Sequence, residues 1–407
     1  MAMSRRWSLR SVWAQMQFAL LTVVVALTFG NAAHAQANPN QGPGGPILVV
    51  TSPTATFSKY YAEILRAEGL NTFAVADIST VTAATLTPYD VVVLGKVALT
   101  SAQVTALTNW VTAGGNLVAM DPDAQLASLL GVTIGSGTLS NGYIAVNTAT
   151  RAGNGIVGDT MQYHGSAHLN TLNGATSIAT LYSTANSATP NVAVSLRSVG
   201  SSGGQAASFA YDLATSIVYT RQGNPAWFNQ ERDGATPVRS DDKFFGNAAS
   251  DPQADWIDKT KISIPQADEQ QRLLANLIIE MNRDKKPLPR FWYLPNGLRA
   301  AVVMTGDDHA NAGTVARWNQ FLSASEPGCN LANWECIRGT SYLWNNTPVS
   351  DAQLSAFEAQ GFEVGLHINT NCNDFTLESL TETYDNQMES YQTQCGSLER
   401  MQSSQLL

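Results

Sequence analysis

The sequence predicts an α/β protein in two parts: a parallel sheet covered by helices and carrying a β-rich insertion, then a separate strand–helix region in the C-terminal third. Three observations lead there. Apolar runs alternate with stretches of helical period over residues 47–120, the order that builds a parallel sheet. Residues 134–250 lose that alternation and carry short Val/Ile/Thr/Ser runs broken by Gly and Asn. Beyond the charged, proline-rich run Arg283-Asp284-Lys285-Lys286-Pro287-Leu288-Pro289, an apolar stretch ends in a cluster of ionisable residues.

In chain order, Arg5, Arg6 and Arg10 precede an uncharged apolar run from Phe18 to Phe29 and a small-x-small site, Ala33-His34-Ala35. That order predicts a signal peptide over residues 1–35 and hence a secreted or periplasmic protein. The apolar run is shorter than a membrane span needs. Residues 36–46 read as a flexible start, and 47–286 as the first domain. Within it we expect strands at Ile47–Val50, Asn71–Ala76, Asp90–Leu94 and Asn116–Met120. Helices are expected at Tyr60–Ala67, capped by Ser58, and at Ser101–Thr112, capped by Ser101 and stopped by Gly114-Gly115. Asn191–Leu196 and Ala207–Tyr211 are strand candidates, and residues 206–221 are placed back in the first sheet. His164 and His168 stand four apart, but Gly165 argues against a helical metal pair and for structural histidines. Gln266–Asn282 is an amphipathic helix whose apolar side carries Leu273, Leu274, Leu277, Ile278 and Met281.

Composition narrows the function. Without residues 1–35 the chain holds 20 basic and 32 acidic side chains, a surface that does not favour nucleic acid or anionic membrane. No second apolar stretch of spanning length follows. The four cysteines, Cys329, Cys336, Cys372 and Cys395, are even in number and fit no zinc spacing. We therefore expect two disulfides, locally paired as Cys329–Cys336 and Cys372–Cys395.

The strand–helix order over residues 46–133, with Trp110-Val111-Thr112-Ala113-Gly114-Gly115-Asn116-Leu117-Val118, resembles the class I glutamine amidotransferase-like fold. The resemblance implies a flavodoxin-like parallel sheet. That family's amidase chemistry uses a cysteine after a central strand, and this chain has none before Cys329. It therefore implies the fold with a binding or scaffolding role.

The chemistry gathers in residues 290–407. An expected buried strand, Gly297–Met304, leads into Thr305-Gly306-Asp307-Asp308-His309, and Gly361–Leu366 leads into His367-Ile368-Asn369-Thr370-Asn371. Adjacent acids at a strand end cost desolvation and mutual repulsion, which a divalent cation relieves. Two of the four histidines after residue 35 fall at these two strand ends.

Thr305–His309 resembles the first motif of polysaccharide deacetylases, and Glu363–Asn371 resembles the second, a strand ending in His-Ser/Thr-x-x-His. The resemblance implies a (β/α) barrel, with Asp307 as general base, Asp308 and His367 as ligands of a divalent metal, commonly zinc, and removal of N-acetyl groups from a carbohydrate polymer. Two positions depart from the pattern. Asn371 stands where the second histidine belongs and is a weaker ligand, and His309 replaces a glycine and could supply the missing nitrogen. The barrel is expected to be partial, since the sequence ends about forty residues after His367 and holds no later histidine for a general acid. The alternative is a non-catalytic carbohydrate-binding protein with a degenerate site. A glycosidase fits less well, because adjacent carboxylates cannot flank a glycosidic bond and Glu363 faces away if Phe362 and Val364 are buried. Trp292, Tyr293, Trp318, Trp334, Tyr342 and Trp344 read equally as a sugar-stacking groove or as core and loop aromatics.

Overall fold

The computed structural model describes residues 42–234, 236–246, 255–291, 302–311, 313–371, 373, 375–396 and 404–406. The expected signal peptide, Cys372, Trp292 and Tyr293 lie outside the described residues. The chain forms two compact units: residues up to 221 with 263–290, and residues 222–262 with 291 onward.

The first unit is built on a nine-stranded mixed sheet. Its strands are β1 Ile47–Thr51, β2 Phe73–Asp77, β3 Val91–Leu94, β4 Asn116–Met120, β5 Tyr143–Val146, β6 Met161–Gln162, β7 Thr176–Thr184, β8 Ser187–Val199 and β9 Gly204–Phe209. They lie in the order β2-β1-β3-β4-β9-β8-β7-β5-β6. The first five in that order pair in parallel and the rest antiparallel. The expected parallel sheet forms the core, and the inserted strands extend it antiparallel, so the whole sheet is mixed. The expected return of the chain to this sheet is observed, with Gln205 to Phe209 level with Asn116 to Met120. Strand structure in the insertion ends at Phe209. After the helix Leu213–Gln222, the described residues up to Ile262 form 3-10 turns and loops, because Asn, Asp, Gly and Pro punctuate every short apolar run.

The pleat sends alternate residues of β1 to opposite faces. Ile47 and Val49 pack under helices α1 (Tyr60–Ala67) and α3 (Gln266–Asn282), with Tyr61, Leu65, Leu274 and Ile278. Leu48 and Val50 pack on the other face with Leu107 and Val111 of helix α2 (Ser101–Thr112). The caps differ from expectation by one residue. Thr100 caps α2 in a capping box with Gln103. Lys59 precedes α1 without a side-chain cap, while the Ser58 hydroxyl donates to the carbonyls of Ser52 and Ala55. No helix among the described residues is long and apolar enough to cross a membrane.

The second unit holds a four-stranded parallel sheet in sequential order: β10 Thr305–Asp308, β11 Thr340–Leu343, β12 Glu363–Ile368 and β13 Ser404–Leu406. No closed barrel is formed among the described residues. The expected strand Gly297–Met304 lies outside them up to residue 301. Val302 and Val303 are exposed and outside any strand, and pairing starts at Thr305. Helices α4 (Gly313–Ala324), α5 (Asp351–Glu358) and α6 (Leu377–Cys395) supply the core, where Trp318 stacks on Phe362 beside Phe357, Leu343, Leu366 and Tyr391. Cys329 and Cys336 form the expected disulfide.

Candidate metal centre

Register decides which side chains meet. Asp308 is level with Leu343, and Leu343 is level with Leu366, so one step further on His309 is level with His367. Side chains alternate along a strand. Asp308 therefore shares a face with Leu343 and Leu366, the face that packs on the helices, while Asp307 and His309 share the opposite face with His367.

The side chains follow that rule. Ligand atoms of Asp307, His309 and His367 all lie within 4.8 Å of one another. The two histidine Nε2 atoms are 3.1 Å apart, with their rings edge to face. Asp307 Oδ2 lies 3.9 Å from His367 Nε2. Two nitrogens each about 2.05 Å from one zinc ion and 3.1 Å apart subtend about 98°, near tetrahedral. Asp307 Oδ2 would come about half an ångström closer to His367 Nε2 in a tetrahedral site. His367 is buried and its Nδ1 lies 3.2 Å from the Ile368 carbonyl. A carbonyl can only accept, so Nδ1 carries the proton and Nε2 presents its lone pair to the cluster. Two imidazoles and a carboxylate form a donor set that suits zinc and its first-row neighbours.

Asp308 is placed elsewhere. It is fully buried, and its two oxygens accept from the backbone N–H groups of Asn311 and Thr314 at 3.0 and 3.1 Å, tying the loop and the start of α4. Burial pushes its carboxyl up, but the hydrogen bonds from the Thr314 N–H and hydroxyl and from the Asn311 N–H outweigh it and hold the carboxyl below its usual value. Its oxygens do not belong to the three-residue group. Asn371 is exposed, in a left-handed turn, with its N–H donating to Asn369 Oδ1. Sequence reasoning thus found the residues that meet but not their division of labour. Alternation puts Asp307 and Asp308 on opposite faces, and the register with Leu343 and Leu366 decides which faces the cluster.

Neighbours steady the arrangement. The Gln387 side chain brackets Asn369, accepting from its N–H and donating to its carbonyl, just after His367. Arg317 donates to Ser341 Oγ at 2.7 Å and to the Gly306 carbonyl at 3.3 Å. Of the aromatics expected near the site, Trp318 is core, Trp334 is exposed, and Tyr342 and Trp344 are half-buried.

The comparisons add only partial overlap. No protein-family model matches the sequence, and neither does any curated protein. Among solved structures, the β-galactosidase from Rahnella sp. R3 matches over 41% of this chain and 28% of its own, at 16% identity and TM-score 0.34. Alpha-L-fucosidase isoenzyme 2 from Paenibacillus thiaminolyticus matches over 44% and 30%, at 12% identity and TM-score 0.34. The mmIFT52 N-terminal domain matches over 42% of this chain and 87% of its own, at 11% identity and TM-score 0.33. This chain spans less than a third of the glycosidases it overlaps. The likeness is distant, and the assignment of the site rests on its geometry.

Two other groups resolve as structural. Glu231, Asp233 and Asp242 also lie within 4.8 Å, but Asp242 accepts from the N–H groups of Arg232, Asp233 and Arg239 as a loop tie. His164 is buried, and burial lowers its pKa to about 4. His168 sits on the short strand Ser166–His168 with Nε2 3.3 Å from Asp121 Oδ1, so the two histidines form no metal pair.

Proposed function

We propose that this chain is an exported, divalent-metal-dependent hydrolase that removes N-acetyl groups from a carbohydrate polymer. The observation that carries the reading is the convergence of Asp307, His309 and His367, with the His367 ring fixed by the Ile368 carbonyl. Export rests on the sequence of residues 1–35. The sequential parallel strands β10 to β13 are also the order in which a (β/α) barrel begins.

His309 and His367 would hold the ion, with His309 in place of the histidine that Asn371 does not supply. A bound zinc-like ion supplies polarisation of an amide carbonyl and a more acidic water. Asp307 is half-buried at the cluster and is the carboxylate placed to take a proton from water. Asp308 is not placed for that task, since its oxygens accept N–H groups of the loop and α4 and lie outside the three-residue group. Its role is to hold the loop that carries His309.

The second reading is a carbohydrate-binding protein that retains the site without turnover. The use of Asp308 as a helix tie and the outward place of Asn371 favour it, since both depart from the deacetylase pattern. Acetate release from chitin oligomers by the zinc-loaded chain separates the two. The hydrolase reading expects release that Asp307→Asn reduces at least about a hundredfold. Metal binding without acetate release would favour the second.

A further inference from the structure

The first unit carries a cleft that the metal centre does not use. Its volume is about 410 Å³, within the range of small-molecule sites. It opens between the loops that follow β1 and β3. Thr54 and Ala55 come from the first loop, Lys96, Val97 and Ala98 from the second, and Asp121 and Pro122 follow β4. In the sheet order β2-β1-β3-β4 the chain leaves β1 to one side for β2 and to the other for β3. The crevice beyond the carboxyl ends of strands at such a reversal is where open parallel sheets bind ligands.

Its polar groups form a connected set. Asp121 has a left-handed backbone at φ 41°, a strained conformation for a residue other than glycine. Its side chain is only 4% exposed. Lys96 Nζ lies 2.6 Å from Asp121 Oδ2 and keeps two further donors for the cleft. Asp121 Oδ1 accepts no hydrogen bond. His168 Nε2 stands 3.3 Å from it out of line, and Nδ1 lies 3.2 Å from the Gly135 carbonyl. The imidazole is about a third exposed, so a turn of the ring opens Oδ1 to the cleft. Asp123 is already engaged, accepting from the N–H groups of Leu99 and Gln125.

We propose that this cleft binds a neutral polyhydroxyl ligand, a sugar that places adjacent hydroxyls on Lys96 and Asp121. A hydroxyl accepts from Lys96 and donates to Asp121 at once. A carboxylate has no proton for Asp121, and a carboxylate or phosphate alike brings negative charge to two carboxylates, Asp121 and Asp123, against one ammonium. An amine would compete with Lys96 for Asp121. Ala55, Val97, Ala98 and Pro122 supply the apolar wall that covers the C–H face of a ring.

The test is saturation-transfer NMR on the full chain with glucose, galactose and N-acetylglucosamine, and with inorganic phosphate and ethylamine as charged probes. At least one sugar is expected to bind with a dissociation constant on the order of millimolar. Asp121→Asn, which tolerates the left-handed backbone, should weaken it about tenfold or more, and so should Lys96→Met, whose head lies at the mouth of the cleft. His168→Ala should bind at least as tightly as the native chain. The double variant His309→Ala, His367→Ala should bind the sugar unchanged, which keeps this site distinct from the metal centre. Failure of all three sugars to bind, sugar binding indifferent to both Asp121→Asn and Lys96→Met, or tighter binding of phosphate or ethylamine than of any sugar would overturn the proposal.

Discussion

Replacing Asp308 by alanine separates a structural role from a metal-binding one. Its carboxylate accepts two backbone N–H groups in a fully buried position at the start of α4. Removing it orphans both donors and an N-terminal cap. At about 1–3 kcal/mol for an orphaned buried donor and about 0.5–2 kcal/mol for a cap, partly the same loss counted twice, the expected cost is about 2–4 kcal/mol. Hydrogen exchange read by mass spectrometry localises that loss. Amides of Gly313–Ala324 and Thr340–Leu343 should exchange about 30- to 800-fold faster in the variant, and about half that loss in free energy is expected for Asp308→Asn, which keeps one acceptor. Zinc stoichiometry at saturating metal should stay near that of the native chain. Unchanged protection together with lost zinc would refute the reasoning and return Asp308 to the metal.

Other outcomes follow from the same structure. His164 is neutral in the folded state, its pKa lowered to about 4 by burial. A base whose folded value is depressed leaves stability whole above its unfolded pKa and removes it as pH falls from about 6.5 to about 4. Urea midpoints should therefore drop across that window by the equivalent of up to about 3 kcal/mol, and His164→Phe should flatten the profile. The Cys329–Cys336 bridge closes a short loop, so Cys329→Ser with Cys336→Ser should destabilise the second unit by about 2.5 kcal/mol on the chain-entropy estimate, measured as a lower thermal midpoint. Tyr61→Phe removes the hydroxyl that donates to Asp212 and accepts from the Ala214 N–H, and should cost about 1–2 kcal/mol in urea unfolding.

Much of the first unit was legible because its elements are locally consistent. The spans Tyr60–Ala67, Ser101–Thr112, Asn116–Met120 and Gln266–Asn282 coincide with expectation, the helices carrying an apolar face and the strand a continuous buried run. The antiparallel extension was not legible. Pairing of Val194 with Phe209, or of Leu181 with Ile144, is set by tertiary contact and leaves no local mark. At the metal centre, the residues were legible from their places at strand ends, but their roles were not. A strand was expected through Met304, whereas pairing begins at Thr305, so the face of each acid could not be assigned until the register with Leu343 and Leu366 was known. The cleft at Lys96 and Asp121 escaped notice because its parts are separated in sequence and belong to no motif. Only the sheet order brings them together.

The central claim is that His309 and His367 grip one cation beside Asp307. Cobalt titration of the purified full chain, followed by visible absorption, addresses it most directly. The account predicts one ion per chain with the intense bands of a low-symmetry, near-tetrahedral site, displaced by zinc and absent from the double variant His309→Ala, His367→Ala. Bands that persist unchanged in that variant, or a native chain that takes up no cobalt and no zinc, would contradict it.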